Sequence, residues 1–146
     1  MGYEKHDSYK MMKVNLKRAM AAEFYYQAIF IEYAIIEDRT LSAIMHAGIK
    51  YKDSRGMELK LSSKLNKLRD HPRFTGEYVR KRITLEFINE IENWKRDRDG
   101  LIHALARIPY DHESVKSIAE KGREIVNNLD NKIKSINCYF DKQNEK

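Results

Sequence analysis

One long stretch limits the fold more than any other. Val14 to Ala47 contains neither proline nor glycine and is dense in strong helix formers. Leu16, Met20, Phe30, Ala34, Leu41 and Met45 recur at helical spacing, and Phe24, Ala28, Ile31 and Ile35 form a neighbouring stripe. Between them AIFIEYAII, Ala28 to Ile36, is apolar nearly all round, which predicts burial on several sides. An unbroken helix over this stretch would reach about 50 Å, long for a small domain. A break or bend is therefore expected, near Asp38 to Thr40.

The same period continues beyond it. Gly48 reads as a helix stop, IKYKDSRG as a loop, and Met57 to Leu68 as a short helix with Leu61, Leu65 and Leu68 on one face. Asp70, His71 and Pro72 end that helix, and Thr75 or Gly76 precedes the next. A helix is then expected from about Tyr78 to Arg107, on the stripe Ile83, Phe87, Ile91, Trp94, Arg98, Leu101, Ile102 and Leu105, with Pro109 as its terminator. Asp111 can cap a last helix carrying Val115, Ile118, Gly122, Ile125, Leu129, Ile133, Ile136 and Phe140, and the tail DKQNEK should fray. Strand alternation is nearly absent. The fold expected is all-α, a small up-and-down bundle of four to five helices in one domain over residues 1–146, with no sheet.

Composition narrows the function classes. The single cysteine, Cys138, excludes an intrachain disulfide and a cysteine-based zinc site and suits a reducing compartment. The opening MGYEKHDSYK is polar, and no apolar run approaches a membrane span, so no leader and no membrane partner are expected and the setting read is cytoplasmic. No Gly-rich phosphate loop, metalloprotease HExxH, calcium loop or di-iron Glu-x-x-His repeat is present, so neither metal nor cofactor is expected. The formal charge of +6, from 28 Lys and Arg against 22 Asp and Glu, permits a nucleic-acid partner through phosphate attraction, although basic residues spread along helices are ordinarily just solvated faces.

One segment departs from plain helix patterning. In RDRDGLIHAL, Arg98 sits in the middle of an apolar stripe, where its guanidinium needs a partner. Glu37 or Glu23, which interrupt the apolar face of the first helix, is a candidate, and Glu37 is placed to orient Arg98 by a salt bridge if the long helices pack. In that reading Arg98 is a structural ion pair that fixes helix register. In the other, Arg98 grips phosphate in its rigid fork and His103, whose ordinary pKa lies nearest neutrality, moves a proton. Asp99 and His103 share a face as an i,i+4 pair, whereas Arg98 and His103 stand about 140° apart on an ideal helix. The two would meet by side-chain reach, by distortion at Gly100, or across a two-fold axis.

RDGLIH resembles the R-x4-6-H motif of the HEPN superfamily, helical domains named for higher eukaryotic and prokaryotic nucleotide binding. A polar residue commonly follows the arginine in that family, and here it is Asp99. Trp94, Arg98 and the IHAL run from Ile102 to Leu105 are similar to abortive-infection and toxin-like members. The resemblance implies a helical bundle, commonly a homodimer, and a metal-independent endoribonuclease with Arg98, Asp99 and His103 as catalytic residues and Trp94 in support, beside the Glu37 salt bridge read from helix packing. RNA would be the substrate and a separately encoded antitoxin a partner. Aspartate in place of the more usual asparagine adds negative charge beside the presumed phosphate. A non-catalytic RNA- or nucleotide-binding domain, or a protein-interaction domain with a structural Arg98, is the alternative.

Overall fold

The computed structural model describes residues 2–107, 109 and 111–145. Among the described residues six α-helices run in order: α1 Gly2–Ala21, α2 Tyr25–His46, α3 Leu61–Asp70, α4 Glu77–Arg82, α5 Leu85–Ala104 and α6 His112–Asn144, with one 3-10 turn at Pro72–Phe74. The chain is all-α. Among the described residues there is no strand, and one isolated antiparallel bridge joins Lys52 to Glu58. Among the described residues no helix is long and apolar enough to cross a membrane. The chain divides into two compact units, Met1–Ile35 with Trp94–Val126, and Ile36–Asn93 with Asn127–Lys146.

In the first unit the long N-terminal stretch breaks, but at Ala22–Phe24 rather than near Asp38–Thr40. Glu23 takes a left-handed conformation (φ 61°). Its N–H donates to Met20 O at 3.2 Å and the Phe24 N–H to Ala19 O at 2.8 Å, so the last carbonyls of α1 are closed in a Schellman pattern. The unit's core takes Leu16 and Ala19 from α1, Ala28, Ile29 and Ile35 from α2, Trp94 from α5, and Val115, Ala119 and Ile125 from α6. Phe30 remains 53% exposed, so the AIFIEYAII run is not covered on all sides, and Phe24 ahead of α2 is 62% exposed. Asp111 caps α6 as expected: Oδ1 accepts the Glu113 N–H at 3.2 Å, and Oδ2 accepts the Ser114 hydroxyl at 2.6 Å. Before it, α5 ends at Ala104, ahead of the Arg107 expected.

In the second unit α2 continues through Thr40 without a break. The buried Thr40 hydroxyl donates back to Ile36 O at 2.9 Å, so the polar side chain is satisfied inside the helix. Gly48 (φ 72°) ends α2 by the same pattern that ends α1, with its N–H on Met45 O and the Ile49 N–H on Ile44 O, both at 3.0 Å. The loop that follows turns on Asp53 and Gly56: Asp53 Oδ1 accepts the Arg55 and Met57 N–H groups at 2.8 and 3.0 Å, and Gly56 takes φ 80°. This hairpin absorbs Met57 to Lys60, so α3 begins at Leu61, with Leu61, Leu65 and Leu68 buried as the periodicity predicts. Lys64 is buried on the same helix and donates to Glu58 Oε2 at 2.5 Å.

The helix expected from Tyr78 to Arg107 is two helices. Ile83 leaves helical geometry (φ −112°, ψ 92°), and Thr84 Oγ1 accepts the Phe87 N–H at 3.1 Å, capping α5. Arg80 supports the junction from the α4 side, donating to Leu68 O, Arg69 O and Ile83 O. Leu129, Ile133, Ile136 and Phe140 are buried along α6 as the stripe predicts. The tail stays helical to Asn144, because Asp141 bonds His46 Nδ1 at 2.7 Å and the Asn144 amide donates to His46 O at 3.3 Å.

Candidate functional site

The RDRDGLIHAL segment forms the C-terminal half of α5 and lies wholly in the first unit. Trp94 stands two residues before it, 2% exposed, with its indole N–H donating to Ile118 O of α6 at 2.9 Å. Tyr33 of α2 stacks beside it, ring centroids 6.4 Å apart and planes 30° apart. One turn further, the Arg98 guanidinium lies over the Tyr33 ring at 3.9 Å and 6.0 Å from the Phe30 ring. Phe30 and Tyr33 are three residues apart on α2, so one face of that helix supplies the aromatic floor on which Arg98 rests. Burial of an arginine in an apolar stripe is thus met in part by cation–π contact.

The charges around Arg98 come from its own helix. Arg98 Nη1 donates to Asp99 Oδ1 at 2.9 Å, and Lys95 Nζ donates to Asp99 Oδ2 at 2.7 Å. The side chains of Lys95, Arg98 and Asp99 are 25%, 18% and 32% exposed, so this pair of cations shares one half-buried carboxylate. Burial pushes the Asp99 carboxyl up, but the hydrogen bonds and charges of Lys95 and Arg98 outweigh it and hold its pKa below the ordinary value. Arg98 Nε is buried with no hydrogen-bond partner.

His103 lies in the last turn of α5 and is exposed. Among the described residues no hydrogen bond or ion pair joins it to Arg98, about 140° away on the helix, or to Asp99, which shares its face but bonds Lys95 and Arg98 instead. Leu101, Ala104 and Leu105, its near neighbours in the chain, line a cleft of about 180 Å³ with Tyr26, Pro109, Asp111 and Ser114. Glu37, expected to orient Arg98, has Lys64 as its ion-pair partner at 3.8 Å, in the second unit.

Two features of the site escaped the sequence. Lys95 stands four residues before Asp99, a spacing that predicts an i,i+4 pair, but its part in holding the carboxylate follows only once Arg98 is seen on the other oxygen. Glu32 is fully buried in the same unit, and neither carboxyl oxygen has a hydrogen-bond partner. Desolvation raises its pKa to about 9, against the attraction of Arg123, so the group is a neutral acid at pH 7. Gly122 makes room for it: a Cβ there would meet Glu32 Oε1 at 2.2 Å and Trp94 Nε1 at 2.8 Å. Among the described residues no three His, Cys, Asp or Glu side chains gather as a metal site would need. Comparison with protein-family models, curated proteins and solved structures gives no match to this chain.

Proposed function

We propose that the chain is a HEPN-like helical domain that cuts RNA without metal, as a toxin or antiphage component in the cytoplasm. One observation carries the reading: the RDGLIH segment closes α5 with Arg98 mostly buried on an aromatic floor, its side chain 18% exposed, and His103 open to solvent just over one turn beyond. Arg98 would hold a backbone phosphate. His103 would take the proton of the neighbouring 2′-hydroxyl, whose oxygen attacks phosphorus. The guanidinium stabilises the charge that develops there, the P–O5′ bond breaks, and the leaving oxygen takes a proton from solvent. The products are a 2′,3′-cyclic phosphate and a 5′-hydroxyl end. Since Arg98 and His103 face apart on one helix, a homodimer in which each copy completes the other's groove fits the reading, and exposed Phe24 and Phe30 offer apolar surface for it. A separately encoded antitoxin would cover the same face.

The test is cleavage of single-stranded RNA by purified protein in EDTA, with end-group analysis. His103→Ala should lose about 10²–10⁴-fold in rate, the usual worth of general acid–base transfer, while melting at the parent temperature. A folded His103→Ala protein that cuts at the parent rate would sink the mechanism. A second reading, a binding or interaction domain with a structural Arg98, draws on the guanidinium already having Asp99 and Tyr33 as partners. Under it, neither parent nor variant cuts RNA.

A further inference from the structure

The Lys95, Asp99 and Arg98 cluster is arranged unlike an ordinary surface salt bridge. Two cations from consecutive turns of α5 converge on separate oxygens of one carboxylate, at 2.7 and 2.9 Å. The guanidinium is fixed from below by Tyr33 at 3.9 Å, so it keeps its place whether or not Asp99 does. All three side chains keep an open side, between 18% and 32% exposed. Two cations with one fixed by an aromatic ring make a seat for an oxyanion that offers two acceptor oxygens. A carboxylate does so, and so does the phosphodiester link of a nucleic acid.

We propose that Lys95 and Arg98 form a two-cation seat for a backbone phosphodiester of single-stranded nucleic acid, and that Asp99 is its built-in occupant, which the phosphate must displace. The proposal rests on the RNA-handling reading above and adds Lys95 as a positioning residue and Asp99 as an internal competitor. With Asp99 in place an incoming phosphate meets a net charge of one, from two cations and one anion. Asparagine keeps the size and one acceptor oxygen but removes the anion, so the same phosphate meets two. Single-stranded nucleic acid is favoured as the ligand because a half-buried seat beside aromatic rings suits a flexible strand that can turn its backbone inward.

The experiment uses a fluorescent 2′-deoxy oligonucleotide, which lacks the nucleophile for cleavage, and reads anisotropy across a salt series. Asp99→Asn should bind about tenfold or more tightly than the parent at low salt. Its plot of log K against log salt should steepen by about 0.7, the slope for one further contact to a single strand. Lys95→Gln in the Asp99→Asn background should remove most of that gain. An oligonucleotide with a neutral methylphosphonate backbone should show none of it, and inorganic pyrophosphate should compete in the Asp99→Asn protein. Melting temperatures are read in parallel, since a merely structural Asp99 would lower melting and leave affinity and slope unmoved. Equal affinity and slope for parent and Asp99→Asn overturn the proposal, as does a gain that survives Lys95→Gln. His103-dependent RNA cleavage alongside unchanged binding would leave the catalytic reading standing and overturn the seat. A tightened Asp99→Asn protein that cuts no RNA would do the reverse.

Discussion

A carboxyl group sealed from water with neither oxygen bonded is costly as an anion, and Glu32 meets that cost by holding its proton. Its pKa is about 9 in the fold against 4.5 as an ordinary glutamate. Between those values the folded chain keeps a proton that the unfolded chain has released. Glu32 therefore leaves stability unaffected below pH 4.5, lowers it as pH rises from there to about 9, and adds no further change above. Each pH unit in that window is worth about 1.4 kcal/mol, so from pH 5.5 to 7.5 the loss is on the order of 2–3 kcal/mol. Urea unfolding at those two values should show it, and Glu32→Gln should abolish it. An equal loss in the variant would refute the assignment. Gly122 belongs to the same contact. Alanine gains up to about 1 kcal/mol in helix propensity, but its Cβ would stand 2.2 Å from Glu32 Oε1 and 2.8 Å from Trp94 Nε1, and overpacking of that kind costs about 1–3 kcal/mol. Gly122→Ala should destabilise in the parent and do so less in a Glu32→Ala background, as a double-mutant cycle in urea would read. In the sequence Glu32 is visible only as a charge interrupting an apolar run, and Gly122 as a small residue on a stripe. Their contact joins α2 to α6 across ninety positions of chain, and no local pattern records it.

At the scale of elements, the breaks that the sequence hid share one cause. α1 and α2 part at Glu23, and α4 and α5 at Ile83, where neither glycine nor proline stands. Helix stops marked by Gly48, Pro72 and the Asp111 cap were legible because those residues act through their own backbone or side chain. Glu23 instead accepts an unfavourable left-handed φ, held by the carbonyls of Met20 and Ala19. The strain costs about 1–2 kcal/mol in a residue with a Cβ, and glycine relieves it, less the part offset by glycine's greater unfolded-state entropy. Glu23→Gly should therefore raise stability by about 0.5–1 kcal/mol, visible in thermal melting; a fall would mean that the Glu23 side chain, which accepts the Tyr25 hydroxyl at 3.4 Å, matters more than its backbone. Thr84→Ala should cost about 1 kcal/mol, because it strips the cap from the first free N–H groups of α5. No measurable change in melting would show that the junction rests on Arg80 alone.

For the whole molecule, the order and type of most helices followed from period alone, and so did the buried stripe of α6. The candidate site was legible as a set of residue types on one segment, Arg98, Asp99 and His103, but not as an arrangement. Cation placement depends on Tyr33 and Phe30 of α2, and His103 stands exposed in the last turn of α5. What completes such a site lies beyond one chain's period. Phe24, at the break before α2, and Phe30, on α2, keep 62% and 53% of their surface in water, and exposed phenylalanines of this size offer apolar surface to a partner. If a second copy covers them, sedimentation equilibrium at micromolar protein should return twice the 17.4 kDa chain mass. Phe24→Ser with Phe30→Gln should return the single chain, at little cost in monomer stability because both side chains are already largely hydrated. Phe30 lies 6.0 Å from the Arg98 guanidinium, so any loss of RNA cleavage in the double variant must be set against Phe24→Ser alone, which leaves that floor intact. Dissociation and loss of cleavage together in Phe24→Ser would tie activity to the dimer. A chain that sediments as 17.4 kDa at every concentration while cutting RNA would show that one copy brings Arg98 and His103 to the same phosphate.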